Sequence, residues 1–288
     1  MASLDHVHWH RRQPLRNPML VAAFEGWNDA GDAASTAVRH LRDVWELELV
    51  AELDPEEFYS FTDTRPHVTF DDGGLRRIDW PANRFWAGEI RGQDRDLLVL
   101  DGIEPNLRWR TYGEQITGVA HELGVSLVVT LGALLTDIPH TRPTSVIGTA
   151  DDAELITRLD LRPSGYEGPT GIVGVFQDAC TQADMPAVSF WAAVPHYVAA
   201  PPCPKATLAL LGQLEDLLEV SIPLSDLPEE ARAWERGVDE LAEEDEEIRD
   251  YVRALEETRD TADLPEATGE AIAREFERYL KRRETDDG

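Results

Sequence analysis

Glu25, Asn28, Asp29 and Asp32 crowd into one short stretch, Phe24-Glu-Gly-Trp-Asn-Asp-Ala-Gly31 followed at once by Asp32. Carboxylates this close together suit a general acid and base, or hold a cation beside a bound ligand. Glu25 and Asp29 are the two candidates for that chemistry. The same side chains have plain structural uses. Asn28 or Asp29 can cap a following helix, and Asp32 would sit in its first turn, where the helix dipole favours negative charge. Structural use is the commoner outcome. Trp27 has no such local reason to stand in a tight loop, and is a candidate for lining a pocket or an oligomer interface.

A second set of candidates lies far downstream. His140 and Arg142, in Pro139-His-Thr-Arg-Pro143, are the best-placed cations of an otherwise acidic chain. They could neutralise an anionic ligand, or pair with Asp101, Glu104 or Asp137. Thr170 and Gly171 stand ahead of a helix and could turn backbone amides toward a phosphate or carboxylate. The segment lacks the lysine of a phosphate-binding loop and the full dinucleotide fingerprint, so glycines serving turns and close packing are the commoner reading. His196 follows Pro195 at a strand end, as a general base or as a buried, hydrogen-bonded imidazole. Cys180 falls on an apolar helix face, where a thiol behaves as a small hydrophobe. No Gly-x-Ser-x-Gly elbow supports serine hydrolysis. His6, His8 and His10 alternate, and on one strand face they could chelate a metal. Nothing downstream supplies a further ligand at a recognisable spacing, so neither a metal nor another cofactor is expected.

The elements that must position these groups alternate between strand and helix. Met19 to Phe24 is apolar throughout, as in a strand buried on both faces, and from Asp29 onward Ala30, Ala34, Ala37, Val38, Leu41, Val44 and Trp45 recur at helical spacing. Glu46 to Leu53 reads as a half-buried strand, and Val68 to Phe70 and Leu75 to Trp80 flank a turn at Asp71 to Gly74. Asp96 to Asp101, Ser126 to Leu131 and Ala187 to Val194 are further core strands. Gly132 to Pro143 is expected to be a long loop. Helices carry Tyr112, Ile116, Val119, Ala120 and Leu123, then Ile172, Phe176, Ala179, Cys180 and Ala183, then Ala206 to Leu218. A short helix over Asp151 to Leu159 takes Thr149 as its expected cap, and Val220 to Ile222 is an expected edge strand. The alternation predicts an α/β fold with a mainly parallel sheet covered on both faces, where ligands gather at strand ends.

The 288 residues carry a formal net charge of −29, with only two lysines, Lys205 and Lys281. Such a surface repels nucleic acid and anionic membranes. No apolar stretch approaches the roughly 20 residues of a membrane span, and the N-terminus lacks the apolar segment of a secretory signal. Two distant cysteines, Cys180 and Cys203, exclude a disulfide framework but not a single bridge. A reducing cytoplasm is the expected location. Two regions follow: residues 1–222 as the α/β unit, and residues 223–288 as an acidic helical hairpin with 23 acidic residues against 10 basic ones from Asp226 onward. Trp234, Val238, Leu241, Ile248, Val252 and Leu255 recur in steps of three and four, the seam of one coiled-coil-like helix broken once by Asp245. They are the candidates for subunit or partner contacts. A second helix is expected after Pro265, with Ile272, Phe276 and Tyr279 or Leu280 on one side.

Four segments stand together in order: Phe24 to Gly31, Leu131-Gly-Ala with Pro139 to Pro143, Gly168-Pro-Thr-Gly-Ile-Val-Gly174, and Ser189-Phe-Trp191 through Val194-Pro-His-Tyr-Val198. Over about residues 15–222 the chain resembles the PAC2 family, named for proteasome assembly chaperone 2, and in particular its actinobacterial branch. The resemblance implies a three-layer α/β/α sandwich of phosphorylase- and hydrolase-like form, with a C-terminal helical extension. It implies a non-catalytic assembly chaperone or interaction protein, a homo-oligomer such as a trimer, and proteasome subunits as partners. Chaperones of this group often dock through a tail ending in a hydrophobic residue, tyrosine and one more residue. This sequence ends Thr285-Asp-Asp-Gly288, so any such contact is expected to use another surface. The alternative is a phosphorylase- or hydrolase-like enzyme binding a small anionic metabolite, with Glu25 and Asp29 as acid/base and Trp27, Asn28, His140, Arg142, Thr170, Gly171 and His196 around the ligand.

Overall fold

Met19–Glu25 forms the strand β2, whose side chains alternate between two separate cores. Met19, Val21 and Ala23 enter one, and Leu20, Ala22 and Phe24 enter the other. A strand in the middle of a covered sheet has no wet face, which is why the run contains no polar residue before Glu25. The computed structural model describes residues 4–71 and 73–263. Around β2 stand β1 (Val7–Trp9), α1 (Ala33–Val44), β3 (Glu48–Leu53), β4 (His67–Phe70), β5 (Arg76–Asp79), β6 (Asn83–Glu89), β7 (Asp96–Ile103) and α2 (Trp109–Glu122). There follow β8 (Leu127–Thr136), β9 (Val146–Ala150), α3 (Ala153–Arg158), α4 (Ile172–Gln182), β10 (Ala187–Pro195), α5 (Pro204–Leu218), α6 (Leu227–Glu244) and α7 (Glu246–Asp263).

Eight strands make one sheet in the order β1-β3-β6-β7-β2-β8-β10-β9. Its centre, β7-β2-β8-β10, is parallel, and antiparallel strands extend it on both sides. Helices α1 and α5 cover one face, and α2 and α4 cover the other. This is the expected α/β/α sandwich. All central strands therefore end on one edge, and the loops after β2, β7, β8 and β10 meet there. β4 and β5 form a separate two-stranded ribbon, fully exposed along both strands. The pairing of β1 with β3 sets His8 opposite Glu52, a neighbour that sequence spacing does not reveal.

Several boundaries differ from expectation. β8 runs on to Thr136 because Gly132 is a close-approach residue inside the strand: a Cβ there would lie 2.4 Å from the Trp191 ring. The expected long loop is correspondingly shorter, and β9 follows it. Asn83–Glu89, outside the strands expected from the sequence, is a sheet strand burying Asn83, Phe85 and Ala87 in alternation. Asp152, not Thr149, caps α3, accepting from Leu155 N at 2.8 Å, while Thr149 belongs to β9. Residues 220–222 form no strand, and Ile222 N donates instead to Glu215 Oε1 at 2.8 Å.

The single seam helix is two helices. Asp245 adopts an extended backbone, and its carboxylate accepts from the amides of Glu247 and Ile248 at 2.9 and 3.3 Å, capping α7. Ala242 is buried in place of Leu241, which is exposed. The helix expected after Pro265, with Ile272, Phe276, Tyr279 and Leu280, lies outside the described residues. Cys180 and Cys203 are both free and sit in different cores on opposite faces of the sheet, so they are not bridged to each other. Among the described residues no helix is long and apolar enough to cross a membrane.

Candidate functional site

The joint between β2 and α1 is held by the residues that suggest chemistry. Asp29 is only 4% exposed, and its carboxylate accepts from the amides of Ala34 and Ser35 at 2.7 and 3.2 Å. It caps α1 from three residues upstream of Asp32, which adjoins the helix but makes no capping bond itself. Burial pushes the Asp29 carboxyl up to about 6, against the lowering effect of these hydrogen bonds. Asn28 is also buried, and its Oδ1 accepts from Val173 N at 3.3 Å, while Glu104 Oε1 accepts from Ile172 N at 2.8 Å. The first amides of α4, which Thr170 and Gly171 would offer to an anion, are thus satisfied from within the chain. Gly171 is needed for that contact, because a Cβ there would lie 2.1 Å from Asn28 Oδ1.

Glu25 turns to Arg39, with which it forms an ion pair. Arg39 also reaches Asp101 at 3.2 Å, and Arg42 approaches the same carboxylate at 3.6 Å. Burial raises the Asp101 carboxyl despite both guanidinium groups. Burial also opposes the Arg39 cation, yet Asp101 and Glu25 together raise its pKa. Glu25 and Asp29 therefore serve different partners and share no reacting position. Trp27 stands between them, 62% exposed.

His140, Arg142 and His196 do come together, but around part of the chain itself. His140 is 2% exposed, with Nδ1 2.8 Å from the Tyr197 hydroxyl and Nε2 3.0 Å from Asp239 Oδ1 of α6. The Tyr197 hydroxyl accepts from the His140 backbone amide at 2.7 Å. The two ring nitrogens of His140 are thus both engaged within the chain, one by a phenol and one by a carboxylate. Burial pushes the Tyr197 phenol up to about 12. Arg142 forms a fork with Asp260 of α7, Nε and Nη2 at 2.8 and 2.7 Å, and its Nη1 reaches Glu256 at 3.2 Å. This guanidinium holds Asp260 below the usual carboxylate range.

His196 Nδ1 lies 3.2 Å from Asp137, which also accepts from the Tyr251 hydroxyl of α7 at 3.1 Å. Lys205 bonds to the His140 carbonyl and pairs with Glu235 of α6. The strand-end loops thus form a basic and aromatic cradle for α6 and α7. The stripe of interaction candidates faces the same way. Val238 and Val252 are buried, Trp234, Ile248 and Leu255 are half-buried, and the Trp234 ring lies 6.5 Å from that of His140.

Sequence reasoning misses Tyr197, Lys205, Asp239, Tyr251, Glu256 and Asp260, and it offers Glu104 to the loop cations, whereas Glu104 accepts from the start of α4. One signal is present in retrospect. Glu256 and Asp260 are four apart, which on a helix puts both carboxylates on one face, matched to one guanidinium.

The model of the PAC2 family matches residues 23–242. A solved PAC2 family protein from Streptomyces avermitilis is 58% identical, with a TM-score of 0.78 over 82% of this chain and 99% of that one. A structure described as a proteasome-assembly chaperone homologue from Mycobacterium tuberculosis is 51% identical, with a TM-score of 0.74 over 81% of this chain and 99% of that one. An archaeal proteasome activator from Pyrococcus furiosus shares the fold at 16% identity, with a TM-score of 0.66 over 82% of this chain and 97% of that one. No curated protein matches the chain.

Proposed function

The chain belongs to the PAC2 family, and from that premise we propose that it is a non-catalytic, proteasome-related assembly or interaction protein acting as a homo-oligomer. One observation carries the reading. Among the described residues, the leading candidates for chemistry at the strand ends are committed to other parts of the chain: Asp29 and Asn28 to helix caps, Glu25 to Arg39, and His140 and Arg142 to the carboxylates of α6 and α7. An enzyme for a small anionic metabolite would need those two side chains open toward its ligand.

The class of partner is taken from the relative described as a proteasome-assembly chaperone homologue. Self-association is supported by the β4–β5 ribbon. Two strands alone are marginal in water, and Val68, Phe70 and Ile78 share one exposed face of this pair. A trimer is the expectation that the family resemblance adds.

The test mixes the purified full chain with the proteasome core subunits of its own source and follows assembly by size exclusion with light scattering. The expected result is a free protein heavier than one protomer, a complex with core subunits, and faster assembly of the core. A monomer that forms no such complex overturns the reading. Turnover of a phosphorylated or carboxylated metabolite that disappears in Glu25→Gln would favour the enzyme instead.

A further inference from the structure

We propose that His8, His10 and Glu52 form a binding site for one first-row divalent transition ion of the zinc class. The inference is independent of the proteasome-related reading and lies at the opposite end of the sheet order from β9, on the edge strand β1.

β1 pairs antiparallel with β3, and the register puts His8 directly across from Glu52. Val7 and Trp9, of the other parity, pack toward the core, so the alternation turns His8 to the opposite side, and His10 lies beside it just past the end of the strand. Their rings meet edge to face with centroids 4.7 Å apart. One donor atom from each of His8, His10 and Glu52 lies within 4.8 Å of the other two. A tetrahedral ion with donors at about 2.0–2.1 Å wants them roughly 3.4 Å apart. The His10–Glu52 pair is already at 3.2 Å. His8 and His10 are exposed, so both rings have room to change rotamer toward the shorter spacing.

Two imidazoles and one carboxylate are borderline donors that suit zinc, copper or nickel, whereas magnesium and calcium prefer oxygen alone. The chain's net charge of −29 raises the local concentration of cations. One charge opposing a bound ion is Arg84, whose Nε lies 3.8 Å from Glu52, while Arg11, next to His10, is paired with Glu48. Its Nη2 is held by Asp79 at 3.3 Å, which offers the guanidinium an alternative partner when the ion takes Glu52. Three protein donors leave a fourth position for water or for a donor from another molecule. Sequence spacing could not show the third ligand because the strand register supplies it.

The test titrates tag-free full-length protein with Zn²⁺ against a chromophoric chelator. Excess Mg²⁺ fills weak sites on the acidic surface. Wild type is compared with His8→Ala, His10→Ala, Glu52→Gln and, as a control, His6→Ala, whose ring packs against Phe58 at 5.2 Å. One equivalent per chain is expected, weakened roughly tenfold or more in each of the three ligand variants and unchanged in His6→Ala. Thermal unfolding without metal checks that the surface variants remain folded, and Zn²⁺ should raise Tm in wild type but not in His8→Ala. Wild-type affinity retained in the ligand variants, or no zinc binding above the Mg²⁺ background, overturns the proposal.

Discussion

Removing the charge of Asp29 while keeping its shape separates a helix cap from a catalytic carboxylate. Asp29→Asn retains an oxygen that can accept from Ala34 and Ser35 at the start of α1. In the folded chain burial lifts the carboxyl from its ordinary 3.8 to about 6. Below pH 3.8 both folded and unfolded chains hold this proton, and the group costs nothing. Between 3.8 and 6 the unfolded chain has released a proton that the folded chain retains, so stability falls as pH rises. Above pH 6 the full penalty is present. A shift of about two units at about 1.4 kcal/mol each amounts to about 3 kcal/mol, as an order of magnitude. The amide escapes that penalty but must place an NH₂ group in a buried site, so a net gain of about 1–3 kcal/mol is expected at pH 8, shrinking toward zero near pH 4. Urea unfolding followed by tryptophan fluorescence, at one protein concentration and several pH values, gives the difference between variant and wild type. A difference that does not depend on pH, or that grows toward acid, refutes the argument.

Gly171→Ala would place a Cβ 2.1 Å from Asn28 Oδ1 and expel Asn28 from the α4 terminus; a loss of about 1–3 kcal/mol in urea unfolding is expected. Arg142→Ala removes the fork to Asp260 and the contact with Glu256. Amide hydrogen exchange should then speed up in residues 246–263 while the central strands keep their protection, and uniform exchange across α7 in both proteins would contradict the docking. Burial pushes the Cys180 thiol up to about 12 and also raises that of Cys203. Both should resist alkylation at pH 8 until the protein is unfolded, and rapid labelling of either in the native state would show that its core is open.

The central layers were legible because their signals are local. The uncharged run at Met19 to Phe24 and the periodic stripes of α1, α2, α4 and α5 each declare how much of the element is buried. β6 was not legible because Asn83 and Arg84 open it with polar residues. Asn83 is nevertheless fully buried, bonded to Tyr59 and Tyr112 across elements that no sequence window joins. At the candidate site the residues at the β2 joint and in the loop after β8 stand out as unusual types in unusual places, and the capping of α1 by Asp29 follows from its position, whereas the bond of Asn28 to the start of α4 does not. What they bind was not visible. Asp239, Glu256 and Asp260 stand about a hundred residues beyond His140 and Arg142, inside an acidic stretch where every second position looks equivalent until the helices are placed.

The carboxylates of α6 and α7 are tethered to the loop they engage. A tethered group meets its site at an effective concentration on the order of millimolar when the linker allows the contact. Any free anion approaching His140 or Arg142 must outcompete Asp239, Glu256 and Asp260 at that concentration. A small metabolite at micromolar levels would be excluded by mass action even if it fitted. A large acidic partner with many contacts would succeed only by lifting both helices at once, so its affinity would include the cost of undocking them.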